Sequence, residues 1–160
     1  MLFENLKQSV RICLSEKFFK LNGRAPRVEF WCFMLFSLLL NIALTLVDSL
    51  PILPIDIASI VSLVMFFPSL AVTVRRLHDL DRSGWYIALP VGAVLVAALL
   101  LIMGTTVFAS AVVTYLGMSL MIAGLFIEFA LLIYLIKKGT DGANKYGEDP
   151  LTSGVWALES

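Results

Sequence analysis

The sequence predicts an all-α membrane protein, a bundle of four transmembrane helices with an amphipathic N-terminal helix at the membrane interface. Of its 160 residues, 59% are hydrophobic and only 15% are charged, and the mean hydropathy is +0.91. Ordinary water-soluble domains do not have such a composition. The apolar residues form long continuous blocks, which favours helices over the alternating pattern of a membrane barrel. A single membrane domain over residues 1–160 is expected from this length.

The first 25 residues predict an amphipathic segment and not a secretory signal, because they contain no continuous apolar core and no cleavage site. Apolar side chains recur at intervals of three or four residues, as on one face of a helix lying in the interface. That face comprises Phe3, Leu6, Val10, Cys13, Leu14, Phe18 and Leu21. A soluble helix that packs on the neighbouring loops is an equally good interpretation.

Two apolar blocks follow, and each is long enough to cross a hydrocarbon layer of about 30 Å twice. Asp48, Asp56 and the two prolines between them divide the first block. The second block divides less sharply, near residues 103–110. We therefore predict four transmembrane helices, over residues 30–47, 57–74, 85–103 and 117–136. Residues 107–116 either extend the fourth helix or form a short interfacial segment.

The basic residues predict the orientation of these helices. All twelve Lys and Arg side chains fall before residue 30, between the second and third helices, or in the tail 137–160. The other two connections contain none. The positive-inside rule then places both termini, and the tail, in the cytoplasm.

Three polar clusters lie on this predicted cytoplasmic side. They are a segment before the first helix, a loop of about ten residues from Arg75 to Trp85, and a glycine-rich segment after residue 136. If the clusters converge, their arginines either pair with the local carboxylates and join the helix ends, or exceed those carboxylates and bind a phosphate. The candidate ligand-binding residues are Arg24, Arg27, Arg75, Arg76, His78, Asp79, Arg82, Asn144 and Asp149.

His78 beside Asp79 has the residue types of a base and its orienting carboxylate, or of half a metal site. Neither interpretation is specific, because no nucleophile or further set of ligands is evident, and a lone histidine is more often a structural hydrogen-bonding group. Cys13 and Cys32 are isolated, which predicts free thiols. We therefore predict no catalytic residue, no metal and no cofactor, and we favour a protein that is not an enzyme.

Glu128 is the one charged residue between Arg82 and Lys137 and falls near the middle of the predicted membrane. A carboxylate at that depth is costly unless it is neutralised or partnered. Gly117 and Gly124 share its helical stripe, which allows close approach of another helix. Asn41 lies at a similar depth on the first helix, and we predict a contact between Asn41 and Glu128. That contact is either a helix-packing hydrogen bond or part of a proton or ion relay.

Three segments, GRAPRVEFW, RRLHDLDRSGW and GTDGANKYGEDP, occur in this order, each beside an apolar block. In these segments the chain resembles the domain-of-unknown-function-805 family of small bacterial inner-membrane proteins, over residues 19–150. The resemblance implies a multi-pass protein of the bacterial inner membrane, and it implies no particular chemistry. Pro26, Asp81 and Glu148 stand where serine, glycine and proline are common in that family.

We predict a non-enzymatic membrane protein whose cytoplasmic Arg/His/Asp face binds anionic lipid headgroups or a protein partner. A homo-oligomer is compatible with the sequence, and nucleic acid is not an expected partner. One alternative is a small transporter or ion-conducting subunit that uses Glu128. Another is a membrane enzyme that acts on a lipid through His78 and Asp79.

Overall fold

The computed structural model describes residues 2–50, 56–152 and 156, and the regular secondary structure in this part of the chain is helical, apart from one isolated bridge between Asn144 and Gly147. Its α-helices are α1 (Leu2–Arg11), α2 (Arg27–Asp48), α3 (Ile57–Asp79), α4 (Ala88–Ile102) and α5 (Ala111–Leu135). A π-helical turn, Ile12–Glu16, continues α1, a 3₁₀ turn, Gly84–Ile87, precedes α4, and a second π-helical turn, Met103–Val107, follows α4.

Four helical stretches of the described chain are long and apolar enough to cross a membrane. They are α2, α3, α4 with its flanking turns (Gly84–Val107), and α5. Stretches of 22 to 25 residues rise by about 33–38 Å at about 1.5 Å per residue, which exceeds a hydrocarbon layer of about 30 Å. The prediction of four long apolar helices is confirmed.

The third helix, α3, is longer than the sequence predicts. It continues beyond residue 74 to Asp79, so the first five residues of the cluster Arg75–Trp85 are helical, and the prediction of a loop is wrong for them. The charged side chains do not end the helix, because partners from other segments of the chain bind them inside the fold. The division of the first apolar block is correct, since α2 ends at Asp48 and α3 begins at Ile57. The prolines of that connection lie outside the described residues.

The start of α3 is fixed by the two acids that flank the connection. Asp56 accepts the backbone N–H of Ser59 at 2.9 Å and caps the helix. Hydrogen bonds from the hydroxyl and the backbone N–H of Ser59 lower the pKa of the Asp56 carboxyl. Asp48, at the end of α2, accepts the N–H of Ala58 at 2.6 Å. The acids that flank the connection between the two helices therefore accept hydrogen bonds from the backbone N–H groups at the start of α3.

The chain divides into two compact units, residues 1–82 with 138–160, and residues 83–137. In the second unit, α5 begins at Ala111, so residues 111–116 extend the helix. Gly117 and Gly124 allow the close approach predicted for them, since a Cβ on Gly117 would lie 3.0 Å from the backbone nitrogen of Leu101 in α4. Glu128 is exposed on α5. A single membrane domain stays a prediction.

In the first unit, Asn41 joins α2 to α3. Its Nδ2 donates to the carbonyl of Ser37 at 3.0 Å, and its Oδ1 accepts the hydroxyl of Ser62 from α3. Asn41 and Glu128 belong to different units, and their contact stays a prediction.

The N-terminal segment is helical over α1 and the turn that continues it, and it packs against the start of α2. Ser9 and Cys13 are fully buried, and the Ser9 hydroxyl donates to the carbonyl of Val28 at 3.5 Å. Phe3, from the predicted apolar face, is 72% exposed. The side of this segment that packs on the protein is therefore centred on Ser9 and Cys13, and the position of the helix in a membrane interface stays a prediction.

Candidate functional site

The predicted site residues of the first unit gather where α2 begins and α3 ends. The backbone joins these two points directly, because the N–H of Ala25 donates to the carbonyl of Arg75 at 3.0 Å. The residues Arg24, Arg75, Arg76, His78 and Asp79 are buried, Asn144 and Asp149 are half-buried, and Arg27 and Arg82 are exposed. Four of these nine residues belong to two ionic clusters.

The first cluster is built around the carboxylate of Asp79. Arg24 donates to Asp79 Oδ1 through Nε at 3.0 Å and lies 2.9 Å from it through Nη2, while Arg76 Nη1 donates to Oδ2. The side chains of all three residues are at most 5% exposed. One buried carboxylate therefore balances two buried guanidinium groups, and in such surroundings charge-assisted hydrogen bonds are strong.

The segment after α5, which we call the C-terminal loop (residues 138–151), closes over this cluster. Arg24 donates through Nη1 and Nη2 to the carbonyls of Gly142 and Thr140, both at 2.6 Å. The N–H of Thr140 donates to the carbonyl of Asp79 at 2.9 Å. Gly139 has no space for a side chain, because a Cβ there would lie 2.7 Å from Asp79 Cγ. The third polar cluster of the sequence thus folds back onto the first and second.

His78 takes part in this closure and does not pair with Asp79. Its Nδ1 lies 3.2 Å from the carbonyl oxygen of Gly23, and its ring stacks on Tyr146 of the C-terminal loop with centroids 3.8 Å apart. Because a carbonyl oxygen only accepts, Nδ1 carries the proton in this contact. Asn144 adds a hydrogen bond to the carbonyl of His78 at 2.9 Å. These contacts are structural and give no support to a base with an orienting carboxylate.

The second cluster is built around Glu29 in the first turn of α2. Arg75 Nη2 donates to Glu29 Oε1 at 2.8 Å, and Arg75 Nη1 donates to the carbonyl of Lys20 at 2.7 Å. Trp156, from the C-terminal tail, donates its indole N–H to Glu29 Oε2 at 3.2 Å. Arg75 is fully buried in these contacts. Arg75, a predicted ligand-binding residue, therefore has a role inside the fold. Sequence reasoning gave no sign that Trp156 belongs here.

Cys13 lies beside this second cluster, with its Sγ 3.7 Å from Arg75 Nη2 and 4.0 Å from Glu29 Oε1. Burial, and then the negative charge of Glu29, raise the pKa of the Cys13 thiol to about 12. Cys13 and Cys32 are both buried, and neither forms a disulfide, which agrees with the predicted thiols. Within the described residues, no group of three or more His, Cys, Asp or Glu side chains is placed to hold a metal ion.

A cavity of about 270 Å³ lies beside the Asp79 cluster, and we call it the helix-end cavity. Four cationic side chains and three carboxylates line it together with smaller and apolar residues. The lining residues are Arg24, Pro26, Arg27, Val28, Arg76, Asp79, Lys138, Gly139, Thr140, Asp141, Asp149 and Leu151. Pro26, Arg27 and Val28 are the N-terminus of α2, and Pro26 supplies no side-chain cap to its N–H groups. The partial positive charge of this helix end therefore lies beside the cavity.

The cavity includes two residues that sequence reasoning missed, Lys138 and Asp141. They form an exposed ion pair at 2.7 Å on the C-terminal loop. The only signal available was their place in the third polar cluster. Arg82 and His78, by contrast, were predicted as ligand-binding residues but are not among the residues that line this cavity.

The turn after α3 explains one departure from the family pattern. Asp81 has a φ of 56°, in the left-handed region, where glycine is unstrained and aspartate is among the tolerated residues. Its carboxylate lies 3.5 Å from Lys145 Nζ on the C-terminal loop. Aspartate in place of glycine therefore leaves the turn intact.

Comparison with known proteins identifies the family. The model of the family described as "Protein of unknown function (DUF805)" matches residues 18–148. This chain belongs to the DUF805 family. Its family relatives in Escherichia coli strain K12 include the inner membrane protein YhaI, 30% identical over 130 residues, which cover 81% of this chain and 84% of YhaI. The inner membrane protein YhaH is 28% identical over 137 residues, 80% of this chain and 84% of YhaH. No solved structure matches the chain.

Membership of the DUF805 family, together with the four apolar helices, identifies the chain as an inner-membrane protein with transmembrane helices. The family match covers all three polar segments except the last two residues of the third. The Asp79 cluster, the Arg75–Glu29 pair and most of the helix-end cavity are therefore built from the matched part of the chain, whereas Trp156 lies outside it.

Proposed function

We propose that this protein is a non-enzymatic inner-membrane protein that binds the phosphate group of a membrane lipid in the helix-end cavity, on the cytoplasmic side of the membrane. The observation that carries the proposal is the charge of the cavity. Four cationic side chains face three carboxylates, which leaves an excess of one positive charge. The N-terminus of α2 adds its partial positive charge at the same place.

Because this charge is buried, the binding of an anion is favourable. Arg24 and Arg76 are nearly inaccessible to solvent, and both pair with the carboxylate of Asp79. A surplus charge with little hydration is costly, and a bound anion offsets that cost through charge-assisted hydrogen bonds. Phosphate is the anion that guanidinium groups and helix N-termini both recognise.

The size and position of the cavity favour a lipid over a protein partner. At about 270 Å³ the cavity lies below the range of about 300–1,000 Å³ that is typical for drug-sized ligands, so it suits a small group such as a phosphate ester. It lies where α2 begins and α3 ends, at the boundary of two membrane-length helices. Lipid phosphates occupy that level of a bilayer.

The proposed binding of a lipid phosphate in this cavity is tested with the full chain purified in detergent. Binding of water-soluble dihexanoyl phosphatidylglycerol and of inorganic phosphate is measured by isothermal titration calorimetry. The double variant Arg27→Gln/Lys138→Gln removes two exposed cations of the cavity, and Arg82→Gln/Lys145→Gln removes two exposed cations elsewhere. We expect the first variant to lose most lipid binding and the second to bind as the wild type does.

The two ligands distinguish the possible sources of the phosphate. Binding of the lipid with no binding of inorganic phosphate assigns the cavity to a headgroup, whereas equal binding of both would assign it to free phosphate. If the wild type binds neither these two ligands nor dihexanoyl phosphatidylethanolamine, or if both double variants bind equally well, the proposal is wrong.

The cytoplasmic orientation is tested by labelling in intact cells. In a background without Cys13 and Cys32, single cysteines are placed at Ser49 and Asp81. Both positions are exposed; Ser49 directly follows α2, in the connection that leads to the start of α3, and Asp81 follows the end of α3. A membrane-impermeant maleimide should label the cysteine at Ser49 in intact cells and the one at Asp81 only after permeabilisation. The opposite pattern would place the helix-end cavity in the periplasm.

A further inference from the structure

We infer that the phosphate ligand of the helix-end cavity also carries a primary ammonium group, as the headgroup of phosphatidylethanolamine does. This inference rests on the proposed function and names the chemical class of the ligand. It is drawn from the net charges of the two walls of the cavity, which are opposite in sign.

One wall consists of the ends of α2 and α3 and the residues just before α2. It contributes three guanidinium groups and one carboxylate, from Arg24, Arg27, Arg76 and Asp79, and the N-terminus of α2. The other wall is the C-terminal loop, which contributes Lys138 and two carboxylates, Asp141 and Asp149. The helix wall therefore has two excess positive charges and the loop wall one excess negative charge. A ligand with separated charges of both signs matches this arrangement better than a simple anion does.

The ion pair on the loop wall is able to exchange partners. The side chains of Lys138 and Asp141 are 68% and 81% exposed, and such surface pairs contribute little to stability. With a zwitterion in the cavity, Lys138 joins the cations around the phosphate and the Asp141 carboxylate accepts the ammonium. Both side chains then keep a partner of opposite charge, so binding leaves no carboxylate unpaired.

Asp149 supplies the second acceptor on this wall. Its Oδ2 accepts the N–H of Gly142 at 3.2 Å and its Oδ1 accepts the N–H of Leu151 at 2.9 Å, so the carboxylate is held in place. Each carboxylate oxygen has more than one acceptor position. A carboxylate held by backbone N–H groups and an exposed one on the same wall together suit an ammonium with several N–H donors.

The lining also selects between primary and quaternary ammonium groups. Quaternary ammonium ligands are typically recognised by aromatic side chains, and none of the described residues that line the cavity is aromatic. A primary ammonium instead donates charge-assisted hydrogen bonds to carboxylates. The cavity therefore favours an ethanolamine headgroup over a choline headgroup.

The inference is tested with the full chain in detergent and three dihexanoyl lipids, phosphatidylethanolamine, phosphatidylcholine and phosphatidylglycerol, by isothermal titration calorimetry. The variant Asp141→Asn removes the exposed carboxylate of the loop wall. Asp81→Asn is the matched control, because Asp81 is an exposed carboxylate in an ion pair outside the cavity. Thermal unfolding of each variant confirms that it is folded.

We expect the wild type to bind phosphatidylethanolamine about tenfold more tightly than phosphatidylcholine, and Asp141→Asn to lose about fivefold to tenfold for phosphatidylethanolamine, the loss of about one charge-assisted hydrogen bond. Phosphatidylglycerol binding should not weaken in that variant, and Asp81→Asn should change nothing. If Asp141→Asn binds phosphatidylethanolamine as tightly as the wild type does while Arg27→Gln/Lys138→Gln abolishes binding, the inference is wrong and the proposed function stands. If none of the three lipids binds, the proposed function fails as well.

Discussion

Replacing Asp79 by asparagine tests the ionic cluster that borders the helix-end cavity. The change keeps the size of the side chain and removes its charge. Asp79 accepts from Arg24 and Arg76, and the three side chains are at most 5% exposed. Two buried guanidinium groups would then lose the charge of this carboxylate.

The expected loss of stability follows from the burial. Removing one partner of a buried ion pair typically costs about 3–5 kcal/mol, because an uncompensated charge is left in the interior. Solvent screening does not reduce this figure for side chains so little exposed. For a chain of this length, 1 kcal/mol corresponds to roughly 2–4 °C in Tm, so Asp79→Asn should lower the Tm by about 6–20 °C.

The assay is the loss of the monodisperse peak in size-exclusion chromatography after heating of the detergent-purified protein. Asp81→Asn is the control, because the Asp81–Lys145 pair is exposed and should not affect the Tm. Adding Arg76→Gln to Asp79→Asn removes one of the two surplus charges and should recover part of the loss. A Tm for Asp79→Asn equal to that of the control would refute the argument that this cluster is held together by buried charge.

Two further predictions concern single residues. Gly139→Ala should destabilise the protein by about 1–3 kcal/mol, because its Cβ would displace the Asp79 carboxylate, whereas Gly92→Ala, with nothing within 4 Å of the added Cβ, should not. Equal Tm values for the two variants would contradict this. In a Cys32→Ala background, a maleimide should label Cys13 only slowly at neutral pH. The pKa of this thiol is about 12 in the folded protein, against an ordinary 9.0. Its contribution to the free energy of unfolding is therefore fully present below pH 9 and is lost as the pH rises towards 12. Rapid labelling of the folded protein at neutral pH would contradict the burial of this thiol.

The sequence alone determined that the chain contains four long apolar helices and that the first apolar block divides near Asp48 and Asp56. This was possible because the thickness of a bilayer sets the length of a crossing helix, and the cost of unpaired polar groups in hydrocarbon leaves few alternatives. The polar residue types of the three clusters also predicted correctly that these clusters lie at the ends of helices. The same pattern gave a wrong boundary at the end of α3, because the charged residues from Arg75 to Asp79 predicted a loop where the chain is helical.

Only the tertiary structure decided which charges pair. Arg75 and Arg76 are neighbours in the sequence, yet Arg75 pairs with Glu29, 46 residues away, and Arg76 shares Asp79 with Arg24. Consecutive residues of a helix point in different directions, so one side chain turns towards the Glu29 cluster and the next towards the cavity. The closure of the C-terminal loop over Arg24 depends on contacts across more than 100 residues, and nothing in the local sequence specifies such contacts.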